Sequence, residues 1–384
     1  MEHLVNNRVK DIEISGIRKF FNMVSHMDDL ISFTIGQPDF PTPEHVKNAG
    51  IAAIESDFTS YTHNAGTIEL RKAACEFVEK KYDLKYKADS EIIVTVGASE
   101  AIDIAFRTIL TEGTEVILPG PIYPGYEPII RMMGAVPIHV DLRENQFRFT
   151  LETIKPFINE KTRCIVLPYP SNPTGVSLSE TELKDIANFL KDKDIFVLAD
   201  EIYSELTYDQ KHTSIARFLK EKTIVINGLS KSHSMTGWRI GFLFAPENIT
   251  KHILKVHQYN VSCANSIAQK AALEALTVGI NDASAMKEEY VIRRDYVFHR
   301  LTSMGLDTVK PDGAFYFFVK IPETFPLNSF DFAIKLVNET KVAVVPGSAF
   351  SDFGEGYFRL SFACSMETLE NGLDRMEQFM NNLK

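Results

Sequence analysis

Lys231 stands in the run Asn227–Gly241, which reads N-G-L-S-K-S-H-S-M-T-G-W-R-I-G, with Ser230, Ser232 and Ser234 around it and Arg239 further on. A β-branched run from Thr223 to Ile226 precedes the segment and a second apolar run, Phe242 to Phe244, follows it. The lysine is therefore expected just past the end of a buried strand. One reading is a solvated surface lysine, the ordinary fate of that residue. The other is an amine whose pKa falls through desolvation and a neighbouring cation, free to attack a carbonyl and form a Schiff base. Arg239 supplies such a cation and could hold a phosphate through its planar fork.

Further reactive types follow other apolar runs. After Ile92–Val96 comes Gly97-Ala98-Ser99-Glu100-Ala101, a tight turn into a helix whose first N–H groups suit a phosphate, or else a helix start capped by Ser99. After Glu115–Leu118 comes a Pro/Gly turn presenting Tyr123 and Tyr126, of which Tyr123 is chosen as a plate for a flat heterocycle; core packing is its other reading. Asn172 follows Arg163–Leu167 inside Ser171-Asn172-Pro173-Thr174-Gly175, offering a donor to a phenolic oxygen. Asp200, with Glu201 and Tyr203 behind it, follows Phe196–Ala199. An acid behind an apolar strand needs a partner, either an arginine or a protonated heterocyclic nitrogen.

The elements that must position these residues alternate. Strands are expected at Ile92–Val96, Glu115–Leu118, Val136–Val140, Arg163–Leu167, Phe196–Ala199, Thr223–Ile226 and Arg239–Phe244. Helices are expected at Pro43–Ser56, Thr67–Tyr82, Glu100–Leu110, Pro124–Met133 and Ser179–Lys191. This is an α/β pattern, a mainly parallel sheet between helices, with its site beyond the carboxyl ends of the strands. Beyond about Glu247 the rhythm changes to two long helical stretches, Thr250–Val278 and Asp282–Met304. Short strands follow at Ala314–Val319, Val342–Val345 and Tyr357–Ala363, with a last helix from Met366 to Asn382. This reads as a smaller α+β lobe, against which the helix expected over Ile12–Met27 should pack, leaving a crevice between the lobes.

The 384 residues are 45% hydrophobic and 24% charged, an ordinary globular composition with room for a large core. The formal net charge of −10 argues against nucleic acid as the main partner. A polar N-terminus of mixed charge and the lack of a long apolar run predict neither a secretory leader nor a membrane span. Cys75, Cys164, Cys263 and Cys364 fit no C-x-x-C spacing and read as thiols of a cytoplasmic protein; no metal site is expected.

Taken together, the amine, the acid, the aromatic plate, the amide, the phosphate cradle and the cation match the needs of pyridoxal 5′-phosphate. Nearly the whole chain resembles the class I/II aminotransferases, pyridoxal-phosphate enzymes of fold type I, most specifically in Ser230-Lys231-Ser232-His233-Ser234-Met235-Thr236-Gly237-Trp238-Arg239. The resemblance implies that Lys231 carries the cofactor, Asp200 faces its ring nitrogen, and Asn172 and Tyr203 bind its phenolic oxygen. It further implies that Tyr123 stacks on the ring and that Ala98, Ser99, Ser230 and Arg239 surround the phosphate. Gly36 and Arg359 would grip the substrate α-carboxylate, and Tyr61 would reach the cofactor of a neighbouring subunit in a homodimer. Gly228 and His63 depart from the pattern, where many relatives have a serine and a proline.

The fold so implied has a large domain over 46–284 and a small one from 1–45 and 285–384. The implied reaction moves an amino group between an L-amino acid and a 2-oxo acid, with 2-oxoglutarate and L-glutamate as the common pair. The stretches Asp11–Phe20, Leu118–Ile130 and Ile226–Ala245 are similar to the branch acting on N-acetyl-LL-diaminopimelate, in lysine and cell-wall precursor synthesis. Alternatives are an aromatic or aspartate aminotransferase, a carbon–sulfur β-lyase on the same cofactor, a non-catalytic binding protein, and a hydrolase using Ser99, whose nucleophile elbow would need a glycine where Ala101 stands. Arg18 and residues near Tyr259–Asn265 are candidates for the distal substrate pocket, Arg18 having an exposed helix position as its other reading.

Overall fold

The computed structural model describes residues 1–325 and 327–382. The strands in chain order are β1 (Ile31–Ser32), β2 (Ile92–Thr95), β3 (Glu115–Gly120), β4 (Val136–Asp141), β5 (Thr162–Pro168), β6 (Phe196–Asp200), β7 (Thr223–Gly228), β8 (Gly241–Phe244), β9 (Tyr316–Lys320), β10 (Val342–Ala343), β11 (Val345–Pro346) and β12 (Tyr357–Ser361). β2 to β8 form one seven-stranded sheet in the order β2-β8-β7-β6-β5-β3-β4. Its pairings are parallel except those of β8, which runs antiparallel to both β2 and β7. Every residue of β2, β7 and β8 is buried, as expected for strands covered on both faces.

Local signals explain several helix boundaries. Ser179 accepts from the Glu182 amide while Glu182 reaches back to the Ser179 amide, a reciprocal cap that starts the helix Glu180–Leu190. Thr67 caps Ile68–Tyr82, which stops where Asp83 turns left-handed at φ 59°. Pro43 precedes the helix Glu44–Glu55 as its N-cap residue rather than opening it.

The region expected as one helical stretch over Thr250–Val278 is two helices, Glu247–Val261 and Ser266–Thr277. Ser262 takes φ 65°, which no helix continues, and Asn265 caps the second helix by accepting from the Ala268 amide. Val342–Val345 likewise divides: β10 pairs in parallel with β1, whereas β11 joins β12 and β9 in an antiparallel sheet. The last strand of the large sheet starts at Gly241, because Arg239 takes φ 53° and belongs to the preceding turn.

The N-terminal segment is stitched to the C-terminal part of the chain. The Phe33 amide donates to the Ala343 carbonyl at 2.8 Å, and the Ser361 amide donates to the Phe33 carbonyl at 2.9 Å. Phe20, Val24 and Phe33 are buried in one apolar cluster with Phe317, Leu336, Phe358, Leu373 and Phe379. Each such side chain contributes about 1.5–3 kcal/mol by leaving water. Two other clusters cover the faces of the large sheet. Among the described residues no helix is long and apolar enough to cross a membrane, and no cluster of His, Cys, Asp and Glu could hold a metal ion.

Candidate active site

A cavity of about 720 Å³ opens beyond the carboxyl ends of β5, β6 and β7, floored by the large sheet and walled by β9, β12 and the N-terminal segment. Gly36, Ala98, Ser99, Tyr123, Asn172, Asp200, Tyr203, Ser230, Lys231, Arg239 and Arg359 all line it. Residues far apart in the chain thus converge because parallel strands end on one side of their sheet.

Lys231 is half-buried, and its Nζ donates to the Gly36 carbonyl at 2.6 Å. Burial, then the nearby Arg359 and Arg239 guanidinium groups, bring its pKa down to about 8, against a smaller opposing pull from Asp200. The amine is therefore substantially neutral near pH 8, which is what a nucleophile needs.

Asp200 ends β6 and is buried. Its Oδ2 accepts from the Tyr126 hydroxyl at 2.6 Å and its Oδ1 from the Ile202 amide at 3.2 Å. Burial raises its pKa while these two hydrogen bonds oppose the rise. Among the described residues no cation lies within ion-pair distance of it, so of the two expected partners the arginine is absent. Glu201, the next residue, points to the other side of the sheet. Its Oε1 accepts from Ser214 Oγ at 2.6 Å and Tyr169 Oη at 3.0 Å, with His212 Nε2 3.1 Å from Oε2.

Arg359 is buried in β12. Its Nη1 donates to Asn172 Oδ1 at 2.9 Å and its Nη2 to the Thr34 carbonyl at 2.7 Å, leaving Nε buried without a partner. The guanidinium lies 4.4 Å from the Tyr316 ring centroid, and Tyr316 Oη is 2.8 Å from Tyr203 Oη. Accepting from Arg359 leaves the Asn172 amide nitrogen free to donate.

The helix Gly97–Ile109 has no side-chain cap, so Ser99 leaves the first N–H groups open rather than closing them. A Cβ built on Gly97, at φ 76°, would stand 2.5 Å from Arg239 Nη2. Only glycine allows the guanidinium so close to that helix start. Tyr123 is partly exposed on the cavity wall and meets Tyr126 edge-on at 5.8 Å.

The other residues singled out in the sequence lie outside this cavity or at its edge. Tyr61, expected at the cofactor of a neighbouring subunit, stands 88% exposed outside its own subunit's cavity. Tyr259 is exposed and Asn265 is spent on its helix cap, so neither belongs to the cavity. Arg18 is exposed and lines the cavity mouth beside Ile17 and Phe21. Gly228 lies within β7, where a Cβ would meet Ile202, Gly241 and Ile240 at 3.1–3.2 Å, and it does not line the cavity.

Sequence reasoning missed Tyr316 and passed over Tyr126. A signal existed for the first: Tyr316 carries the only hydroxyl in the buried aromatic run Phe315–Phe318, and a buried tyrosine requires a partner.

The profile of the aminotransferase class I and II family matches residues 28–376. The chain belongs to that family. A probable N-acetyl-LL-diaminopimelate aminotransferase from Bacillus subtilis is 63% identical over 380 residues, covering 99% of this chain and 96% of the relative. An aspartate aminotransferase from Pyrococcus abyssi is 40% identical and covers 99% of each chain. Among solved structures, the aspartate aminotransferase from Thermus thermophilus with maleate superposes with a TM-score of 0.92 at 34% identity, covering 97% of this chain and 99% of that one. The protein is thus a fold-type I, pyridoxal-phosphate-dependent aminotransferase.

The residues present fit that cofactor. An amine of lowered pKa suits its aldehyde and a buried acid lacking a cation suits its ring nitrogen. The arginine against an uncapped helix start suits its phosphate.

Proposed function

We propose that this aminotransferase moves an amino group between N-acetyl-LL-diaminopimelate and the 2-oxoglutarate/L-glutamate pair, in lysine and cell-wall precursor synthesis. The substrate reading is supported by the name and 63% identity of the Bacillus subtilis relative. One observation carries the chemistry: Lys231 faces a cavity that also holds Asp200, Arg239 and Arg359.

When bound, pyridoxal phosphate supplies an electron sink for the charge left on the substrate Cα. Lys231 Nζ would hold the cofactor and, as a free amine of lowered pKa, would take the proton from the substrate Cα as general base. Asp200, oriented by Tyr126 and the Ile202 amide, would face the cofactor's ring nitrogen. Asn172 and Tyr203 would donate to the phenolic oxygen, and Tyr123 would lie against the ring. Arg239 with Ala98, Ser99 and Ser230 would receive the phosphate. Arg359, with Gly36 beside it, binds the substrate α-carboxylate through its fork.

The reading extends to a homodimer in which Tyr61 completes the neighbouring phosphate site. Exposed Ile51, Ile54, Tyr61, Tyr259 and Val278 support a buried face between copies. It also extends to a division into a large domain over 46–284 and a small one from 1–45 and 285–384. Four unpaired cysteines support residence in the cytoplasm.

The test is a panel of amino donors with 2-oxoglutarate, following glutamate formation. N-acetyl-LL-diaminopimelate should give the highest kcat/KM. Release of pyruvate and ammonia without any acceptor would overturn the reading in favour of a lyase.

A further inference from the structure

The cavity is lined by four cations, Arg18, Lys231, Arg239 and Arg359, and by one acid, Asp200. Three of the cations have chemistry assigned above: the amine that carries the cofactor, the phosphate ligand and the α-carboxylate fork. The fourth has none. Among the described residues, no acid lies within ion-pair distance of the Arg18 guanidinium and no hydrogen bond engages it. Elsewhere on the surface, Arg8, Arg107, Arg131 and Arg143 each hold a carboxylate.

Its place is fixed by packing. Arg18 lies in the helix Gly16–Val24, whose first residue meets the turn Gly347–Ala349 so closely that a Cβ on Gly16 would stand 2.9 Å from Ala349 Cβ. Phe20 and Val24 bury one face of the helix in the core, with Ile17 at its edge, while Arg18 lies on the side away from Phe20; Ile17, Arg18 and Phe21 all line the cavity. Gln37 lines the same cavity and carries an amide able both to donate and to accept.

We propose that Arg18 is the specificity-determining residue for a second carboxylate at the distal end of the substrate. The substrate class is then a dicarboxylic amino acid and its oxo acid, gripped at the two ends by Arg359 and Arg18, with apolar Ile17 and Phe21 beside the chain between them. A long side chain at an exposed mouth can meet distal carboxylates at different reach, so one residue serves both a five-carbon oxo acid and a longer acylated donor. This inference deepens the aminotransferase reading and rests on it.

The experiment compares wild type with Arg18→Gln in two readouts. Calorimetry measures binding of glutarate and of pentanoate, five-carbon acids that differ in the second carboxylate. Steady-state kinetics compares 2-oxoglutarate with 2-oxopentanoate as acceptors. We expect the dicarboxylate-to-monocarboxylate preference to fall about tenfold to a hundredfold in both, the range of a hydrogen-bonded charge partner, with the kinetic change in KM rather than kcat. An Arg18→Glu variant should invert the preference. A preference retained in Arg18→Gln, or a wild type that does not favour the dicarboxylate in either readout, would overturn the proposal. Failure of the aminotransferase reading is separate: wild type would transfer no amino group to either acceptor, and the glutarate-to-pentanoate ratio would still decide the role of Arg18.

Discussion

Arg359 Nη1 donates to Asn172 Oδ1 at 2.9 Å, so a strand of the small antiparallel sheet and the loop after β5 are joined directly at the cavity. The bond does two things at once. It aims the guanidinium, whose Nε stays buried without a partner, and it fixes the asparagine amide so that its NH₂ group is free to donate to a ligand.

Arg359→Lys removes the fork but keeps the charge. Loss of a hydrogen bond to a charged group costs about 1.5–3 kcal/mol, so kcat/KM for an amino acid should fall about tenfold to a hundredfold. The deficit should vanish for an amine lacking the α-carboxylate. Equal losses for both donors would remove Arg359 from the carboxylate site.

Attachment of the cofactor to the apoprotein should speed up as pH rises through about 8, because the Lys231 amine loses its proton there. An ordinary lysine would respond only near 10.5. Arg359 lowers the Lys231 pKa by disfavouring a second nearby cation, so Arg359→Leu should move the midpoint to higher pH. Stopped-flow absorbance across a pH series measures both. A midpoint unmoved by that substitution would break the link.

On the proposed assignment, Asp200→Ala would leave the bound heterocycle without its anionic partner. Stranding a buried charge costs about 3–5 kcal/mol, which in the barrier is on the order of 10²–10³ in kcat. Tyr126→Phe is the finer test. The Tyr126 hydroxyl holds the Asp200 pKa down against burial, so its removal should shift the acid limb of the kcat profile to higher pH. Wild-type profiles in Tyr126→Phe would mean that the Ile202 amide suffices.

Gly97→Ala should be damaging although the added group is one methyl. At φ 76° an L side chain costs about 1–2 kcal/mol, and the new Cβ would displace the Arg239 guanidinium. Thermal unfolding should report the first effect and weakened retention of the cofactor the second. Unimpaired retention would separate Arg239 from the phosphate.

Much of this arrangement was readable from the chain because its cause is local. Asp200, Asn172 and Lys231 follow continuous apolar runs, and such runs become buried strands with known ends. Tyr126 and Tyr316 were not readable as ligands of Asp200 and Tyr203, since each of those bonds joins distant segments. The break at Ser262 was hidden for a different reason. Its cause is one left-handed residue that no glycine advertises, inside a stretch whose apolar spacing continues on both sides.

The attachment point of the cofactor is decided by borohydride reduction of the protein incubated with pyridoxal phosphate, followed by peptide mapping. We expect a single phosphopyridoxyl group on Nζ of Lys231, and neither label nor transferase activity in Lys231→Ala. Label on another lysine, or full activity in Lys231→Ala, would contradict the assignment.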